Sequence, residues 1–476
     1  MTLVYILVFV VVAGGLGLVR RWRGGLPLML SASALAVYAL QPALPVRGLD
    51  FWLPTFTLGL TVLGWVLTTP NEQRAWRANW PAATILGGIV LVLGLTRFLG
   101  FSLPLTASRP PQTFQILIAM AILVGAVFLL WRFAKPGKLL LNAGFVFIIL
   151  LFVMLKVPML AEWASKVLRG WNGQSTELAA ALDIRWLGFS YIAFRLLHTL
   201  RDRQNGRLPA VSLMEYVVYV VFFPALAAGP IDRIERFVGD LRRPAVLTAG
   251  DYAEAGKRLV LGLFKKFAIA DALGLVALNA SNAMQVRTAG WGWLLLYAYA
   301  FQIYFDFSGY TDIAIGLGRL LGIRLPENFK APYLKPNLTQ FWNNWHMTLT
   351  QWFRAYFFNP VTRALRSGKK PLPIPLIIFI TQIATMVMIG FWHGVTWNFM
   401  LWGLWHGLGL FIHNRWSEWT KRRFATLPLR WQQVLNAGGV LLTFHFVAIG
   451  WVFFALPSPV VSLRFFQILF LRRTIT

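Results

Sequence analysis

The feature that most limits the fold of this chain is a series of continuous apolar stretches, each near the length of a membrane-spanning helix. Between Phe114 and Phe133 the only charged residue is Arg132. At 1.5 Å rise per residue, about 20 such residues cross the hydrocarbon core of a bilayer. The stretches do not alternate apolar with polar residues, which argues against a transmembrane barrel. The expected fold is all-α: a polytopic membrane helix bundle.

Spans are predicted near Leu3–Val19, Leu26–Leu40, Phe51–Leu67, Ala82–Phe98, Phe114–Phe133 and Leu139–Leu160. Further spans are predicted near Trp186–Leu200, Ser212–Ala228, Trp291–Leu317, Ile374–Trp392, Trp397–His413 and Val434–Phe454. The total is roughly eleven or twelve. Arg20, Arg21 and Arg23 follow the first stretch, whereas a cleaved signal peptide carries its charge before it, so the first span reads as retained.

Charge is sparse and lopsided. Only 13% of residues are charged, against about 25% in soluble domains, yet the net charge is +28. The basic residues sit in short clusters between spans, at Arg74 and Arg77, Arg132 to Lys138 and Arg201 to Arg207. That placement follows the positive-inside rule and puts the N-terminus outside. It points to membrane lipid and an acidic soluble partner at the inner face, and away from nucleic acid. Ile231–Arg243 and Lys257–Lys266 are basic without a clean span between them and read as interfacial or re-entrant amphipathic helices. Arg366–Pro375 reads as a loop, and the ends of the chain divide into residues 1–134, an N-terminal transmembrane extension, and 135–476, the core. There is no cysteine, so no thiolate metal site and no Cys-bound acyl intermediate is available.

Two histidines stand out because an imidazole inside a membrane protein is costly to bury without a task. Both lie in aromatic, polar settings: Asn343-Asn344-Trp345-His346 and Trp392-His393-Gly394, with Asn398 shortly after. Helical spacing puts Thr350 and either Trp342 or Asn343 on the face of His346. His393 is expected at the end of a span, with Gly390 and Gly394 leaving room for a substrate. Either ring can take a proton from a hydroxyl while the other orients a group or steadies charge. Asn343, Asn344, Trp345, Trp392 and Asn398 are the expected substrate-binding residues. The alternatives are a structural kink at His346 and an interfacial aromatic belt at His393. His198, His406, His413 and His445 read as packing or interfacial residues. A zinc site from His346, His393 and His406 has no short ligand spacing to support it, so no metal is expected. Asp306 and Asp312 sit in an apolar stretch and need partners, for which Arg195, Arg324 and Lys330 are candidates.

At these residues the chain resembles the membrane-bound O-acyltransferase family, in its bacterial branch of alginate O-acetyltransferase membrane subunits and teichoic acid D-alanyl transferases. Four blocks carry the likeness: GFSYIAFRLLHTLRD from Gly188, FFPALAAGPIDR from Phe222, YFDFSGYTDIAIGLG from Tyr304, and NLTQFWNNWHMTLTQWFRAYFFNP with GFWHG. The resemblance implies a helix bundle with a funnel and a narrow passage in the cell membrane. It implies that His393 is the principal catalytic residue and His346 the second. It implies an acyl group, acetyl above all, taken from a cytoplasmic thioester donor, either acyl-CoA or an acyl carrier protein. The acyl group would pass to an extracytoplasmic polysaccharide, directly or through an exported acyltransferase partner. No tightly bound cofactor is implied. Residues before 135 align with no block, and Asn343 and Asn344 stand where such proteins often carry arginines. The end at Leu471–Thr476 leads one to expect that a final span is lacking.

Two other readings stay open on the residues alone. Intramembrane His, Asp and Arg also suit a transporter or flippase of an acyl carrier or polymer, although no paired interrupted spans are visible. A scaffold with a basic inner face leaves both histidine blocks unexplained.

Overall fold

A computed structural model describes residues 2–19, 25–70, 74–99, 105–133, 137–243, 247–368 and 372–471. Every regular element among them is helical. Arg20, Arg21 and Arg23, the loop residues 369–371 and the C-terminal residues 472–476 lie outside the described residues.

Among the described residues, six helices are long and apolar enough to cross a membrane: Leu49–Thr68, Arg77–Phe98, Thr113–Arg132, Lys138–Lys156, Ile374–His393 and Leu429–Ala455. The burial pattern identifies their solvent. In Thr113–Arg132 and Lys138–Lys156 only 6% and 11% of the apolar window is covered by protein. Ile122 and Leu139 are 67% and 85% exposed. Surface of that kind is stable against lipid and not against water. This is a multi-pass helical membrane protein.

The remaining predicted spans depart from that simple form. Leu3–Val19 and Gly25–Leu40 are shorter, and Phe189–Gln204, Ala289–Leu320 and Trp397–Thr426 carry charge. The stretch predicted as a span at Ser212–Ala228 is a short helix, Leu213–Val220, followed by a 3₁₀ turn, Phe223–Ala225. Pro224 cannot donate into a continuing helix and disfavours the helical conformation of Phe223. Its apolar residues serve as core: Tyr216, Val217, Val218 and Val220 are fully buried.

The chain forms two compact units. The first holds residues 1–259 and 313–326, the second 260–312 and 327–476. In the first, the buried face of Phe189–Gln204 (Ile192, Leu196, Leu200) packs beside Leu49–Thr68 and Leu213–Val220. Helix Ile234–Arg242 is amphipathic as expected, burying Ile234, Phe237 and Val238. Arg242 returns to Glu215 at 2.7 Å.

The second unit is organised on a helical hairpin, Ile374–His393 and Trp397–Thr426. Glycines let the two backbones touch. A Cβ on Gly390 would stand 2.2 Å from the Phe399 carbonyl oxygen, and one on Gly403 2.6 Å from the Val387 Cα. Membrane helices approach this closely only where side chains are absent.

Candidate active site

The segment around His346 is not one helix. Asn337 caps the first turn of Leu338–Asn344, its side chain accepting from the Gln340 N–H at 2.9 Å. The helix then stops, and His346 adopts φ 42°, ψ 54° before a new helix, Met347–Phe353, begins. The break separates His346 from the helix of Trp342 and Asn343, so neither shares a continuous helical face with it, whereas Thr350 N–H still donates to His346 O one turn on at 3.1 Å. A left-handed non-glycine residue costs on the order of 1–3 kcal/mol and persists only where its surroundings impose it.

The residue that imposes it is Asn328, which the sequence reading missed. Its backbone carbonyl accepts from Met347 N–H at 2.9 Å. Its side-chain oxygen accepts from Thr348 N–H at 3.3 Å and from the Thr348 hydroxyl at 2.6 Å. The same oxygen lies 3.4 Å from His346 Nδ1. Because a backbone N–H points at it, that atom is the amide oxygen and can only accept. His346 Nδ1 must then carry the proton, and Nε2 holds the lone pair. His346 is 3% exposed, and Nε2 has no hydrogen-bond partner among the described residues.

His393 is the last residue of Ile374–His393, as the sequence led one to expect, and is half-buried. Thr396 caps the following helix through Phe399 N–H. Phe399 stacks on the His393 ring at 5.7 Å, and Phe454 meets it edge-on at 4.7 Å. Trp392 joins the two histidine blocks: its indole lies 4.5 Å from the His393 ring and 6.0 Å from the His346 ring. Phe307 closes on His346 at 4.6 Å. Trp392 thus brings the two blocks, 47 residues apart in the chain, to one aromatic cluster.

The other expected residues fall into different places. Asn343 is exposed and accepts from Arg354 at 2.7 Å. Both line a cavity of about 170 Å³, together with Trp342, Thr350, Gln382 and Ile389, and neither histidine is in its wall. Asn344 turns back to its own helix through Gln340 O at 2.7 Å. Trp345 is buried, stacked on Phe341 at 5.5 Å. Asn398 is buried and donates to Leu456 O at 2.6 Å and to the Ser462 hydroxyl at 3.1 Å.

His413 meets the Thr339 hydroxyl at 3.0 Å, and His445 meets the Tyr297 hydroxyl at 2.9 Å. His406 is fully buried among Trp342, Trp402 and Trp451. Both aspartates meet lysines that the sequence did not point to. Lys265 pairs with Asp312 at 2.7 Å, and Lys266 with Asp306. Arg195 donates to the carbonyls of Val220 and Ala225. The reason is a close helix crossing. A Cβ on Gly309 would lie 2.8 Å from Gly262 O and 2.9 Å from Lys266 N, so the backbone carrying both lysines passes directly over the aspartate helix.

A profile of the MBOAT, membrane-bound O-acyltransferase family, matches residues 115–456. A probable alginate O-acetylase of Pseudomonas syringae is 35% identical over 60% of this chain and 51% of its own length. A teichoic acid D-alanyltransferase of Streptococcus thermophilus is 32% identical over 57% of this chain and 68% of its own. A peptidoglycan O-acetyltransferase of Helicobacter pylori is 35% identical over 51% of this chain and 44% of its own. The chain thus spans about half the length of the alginate O-acetylases it matches.

Proposed function

The chain belongs to the membrane-bound O-acyltransferase family, and on that premise we propose that it moves an acyl group, acetyl in the simplest case, from a thioester to a hydroxyl. The donor is acyl-CoA or an acidic acyl carrier protein at the inner face of the cell membrane. The acceptor is an extracytoplasmic polysaccharide, or an exported partner protein that completes the transfer. The observation that supports this reading is that the Trp392 indole lies 4.5 Å from the His393 ring and 6.0 Å from the His346 ring.

The chemistry divides between the two rings. His393, the more accessible, takes the proton as the acceptor hydroxyl attacks the thioester carbonyl. The C–O bond forms, the C–S bond breaks, and the proton passes from His393 to the departing thiolate. His346 was expected to orient the acceptor or to steady the oxyanion. With Nδ1 protonated toward Asn328, its Nε2 accepts hydrogen bonds and cannot donate one to an oxyanion. Its role is therefore orientation: it receives an N–H or O–H of a substrate. The aromatic walls exclude water that would otherwise hydrolyse the thioester.

The test is mass spectrometry of envelope polysaccharide from cells carrying the wild-type chain or His393→Ala. Ester-linked acyl groups should vanish in the variant at equal membrane abundance. Unchanged esters, with transport of a carrier or polymer in proteoliposomes, would favour a transporter instead.

A further inference from the structure

A second cluster of chemistry-bearing side chains lies in the first unit. His198 and Asp202 stand one turn apart on Phe189–Gln204, and Glu235 lies at the start of Ile234–Arg242. One ligand-capable atom from each falls within 4.8 Å of the others. His198 and Asp202 are buried, and Glu235 is exposed, so the cluster opens to the surface on one side. The sequence alone suggested a packing histidine here.

The orientation of His198 can be read from its neighbour. The Tyr219 hydroxyl donates to the Asp232 carbonyl oxygen at 2.8 Å. Its one proton is thereby used, so its 3.1 Å contact with His198 Nδ1 has the imidazole donating. In the neutral ring, Nε2 then presents its lone pair to Asp202 Oδ2, 3.4 Å away. A charge-assisted hydrogen bond between imidazolium and carboxylate would be about 2.7–2.9 Å. Two ligand atoms on one tetrahedral ion, each about 2.0–2.2 Å from it, lie roughly 3.3–3.6 Å apart. The observed separation matches the second arrangement. The tethered Nδ1–H is also the usual companion of a metal-bound histidine, because it fixes ring and tautomer.

We propose that His198 Nε2, Asp202 and Glu235 form a binding site for a divalent transition-metal ion, Zn²⁺ in the first instance. One nitrogen and two carboxylate oxygens suit zinc, with a fourth position for water. The ion would tie Ile234–Arg242 to Phe189–Gln204 from the accessible side. The site stands independently of the acyl-transfer reading.

The test uses the full chain purified in detergent, stripped with a chelator, dialysed against Zn²⁺ and analysed for bound metal by mass spectrometry. Wild type should bind one equivalent. Tyr219→Phe, which keeps the ring but removes the atom that holds the His198 tautomer, should weaken binding about 10- to 100-fold. Glu235→Gln, an exposed change that leaves the fold intact, should weaken it further. Absence of bound zinc in the wild type, or equal uptake by wild type and Glu235→Gln, would overturn the proposal.

Discussion

Asn328 Oδ1 faces His346 Nδ1 at 3.4 Å and so decides which nitrogen of that imidazole is free for substrate. Replacing Asn328 by Leu removes the acceptor and releases the left-handed backbone at His346. Turnover should fall about tenfold or more, the worth of one orienting hydrogen bond. Asn328→Asp keeps an acceptor but adds negative charge, which favours the imidazolium. Its acid limb of activity against pH should move to higher pH. A pH profile of the two variants beside wild type checks both.

Gly390 and Gly403 hold the hairpin that carries His393. Gly390→Ala places a methyl 2.2 Å from the Phe399 carbonyl oxygen, with no side chain there to yield. The hairpin should open, with a loss of about 1–3 kcal/mol and of activity together. Gly14, whose Cβ would meet nothing within 4 Å, is the control and should tolerate Ala. Thermal unfolding in detergent compares them.

The Lys265–Asp312 pair should behave as a coupled unit. Lys265→Met removes this partner of the buried Asp312 carboxylate and should destabilise the fold by roughly 1–3 kcal/mol. The loss in Lys265→Met combined with Asp312→Leu should be smaller than the sum of the two single losses, because the pair acts as a unit. A double-mutant cycle on thermal stability reads the coupling.

Outside the spans, Asp183 is held by Arg169 at 2.8 Å and by the Ser165 hydroxyl at 2.6 Å. Burial pushes its carboxyl up, but these bonds and the Ala180 N–H outweigh burial and leave it below the ordinary value. A depressed carboxylate stabilises the fold above its unfolded pKa, about 3.9, and loses that contribution as pH falls through the folded value. Local unfolding of Pro158–Trp171, followed by hydrogen exchange, should therefore be insensitive to pH near neutrality. It should rise only in strong acid, and Asp183→Asn should remove that acid dependence.

Much of the architecture was legible because length and hydropathy act locally. Thr113–Phe133 and Ile374–His393 fall within a few residues of their expected bounds. The break at His346 was not legible, since Trp345-His346-Met347 has no Gly or Pro and its left-handed turn is imposed by Asn328, eighteen residues earlier. The lysine partners of Asp306 and Asp312 were missed for a related reason. Nothing local distinguishes Lys265 and Lys266 from interfacial lysines until Gly309 brings the two helices together. Asn344 and Asn398 looked available to substrate by composition, and the sequence did not reveal that each amide nitrogen donates to a carbonyl of the fold.

The central claim is acyl transfer at the paired histidines, and the most direct measurement is thioester cleavage by the purified chain in proteoliposomes, given acetyl-CoA and a hydroxylated acceptor. Wild type should release thiol and form ester in equal amounts. His393→Ala should slow ester formation by about 10²–10⁴-fold, while binding of the donor persists. Ester formation by His393→Ala at the wild-type rate would contradict the account.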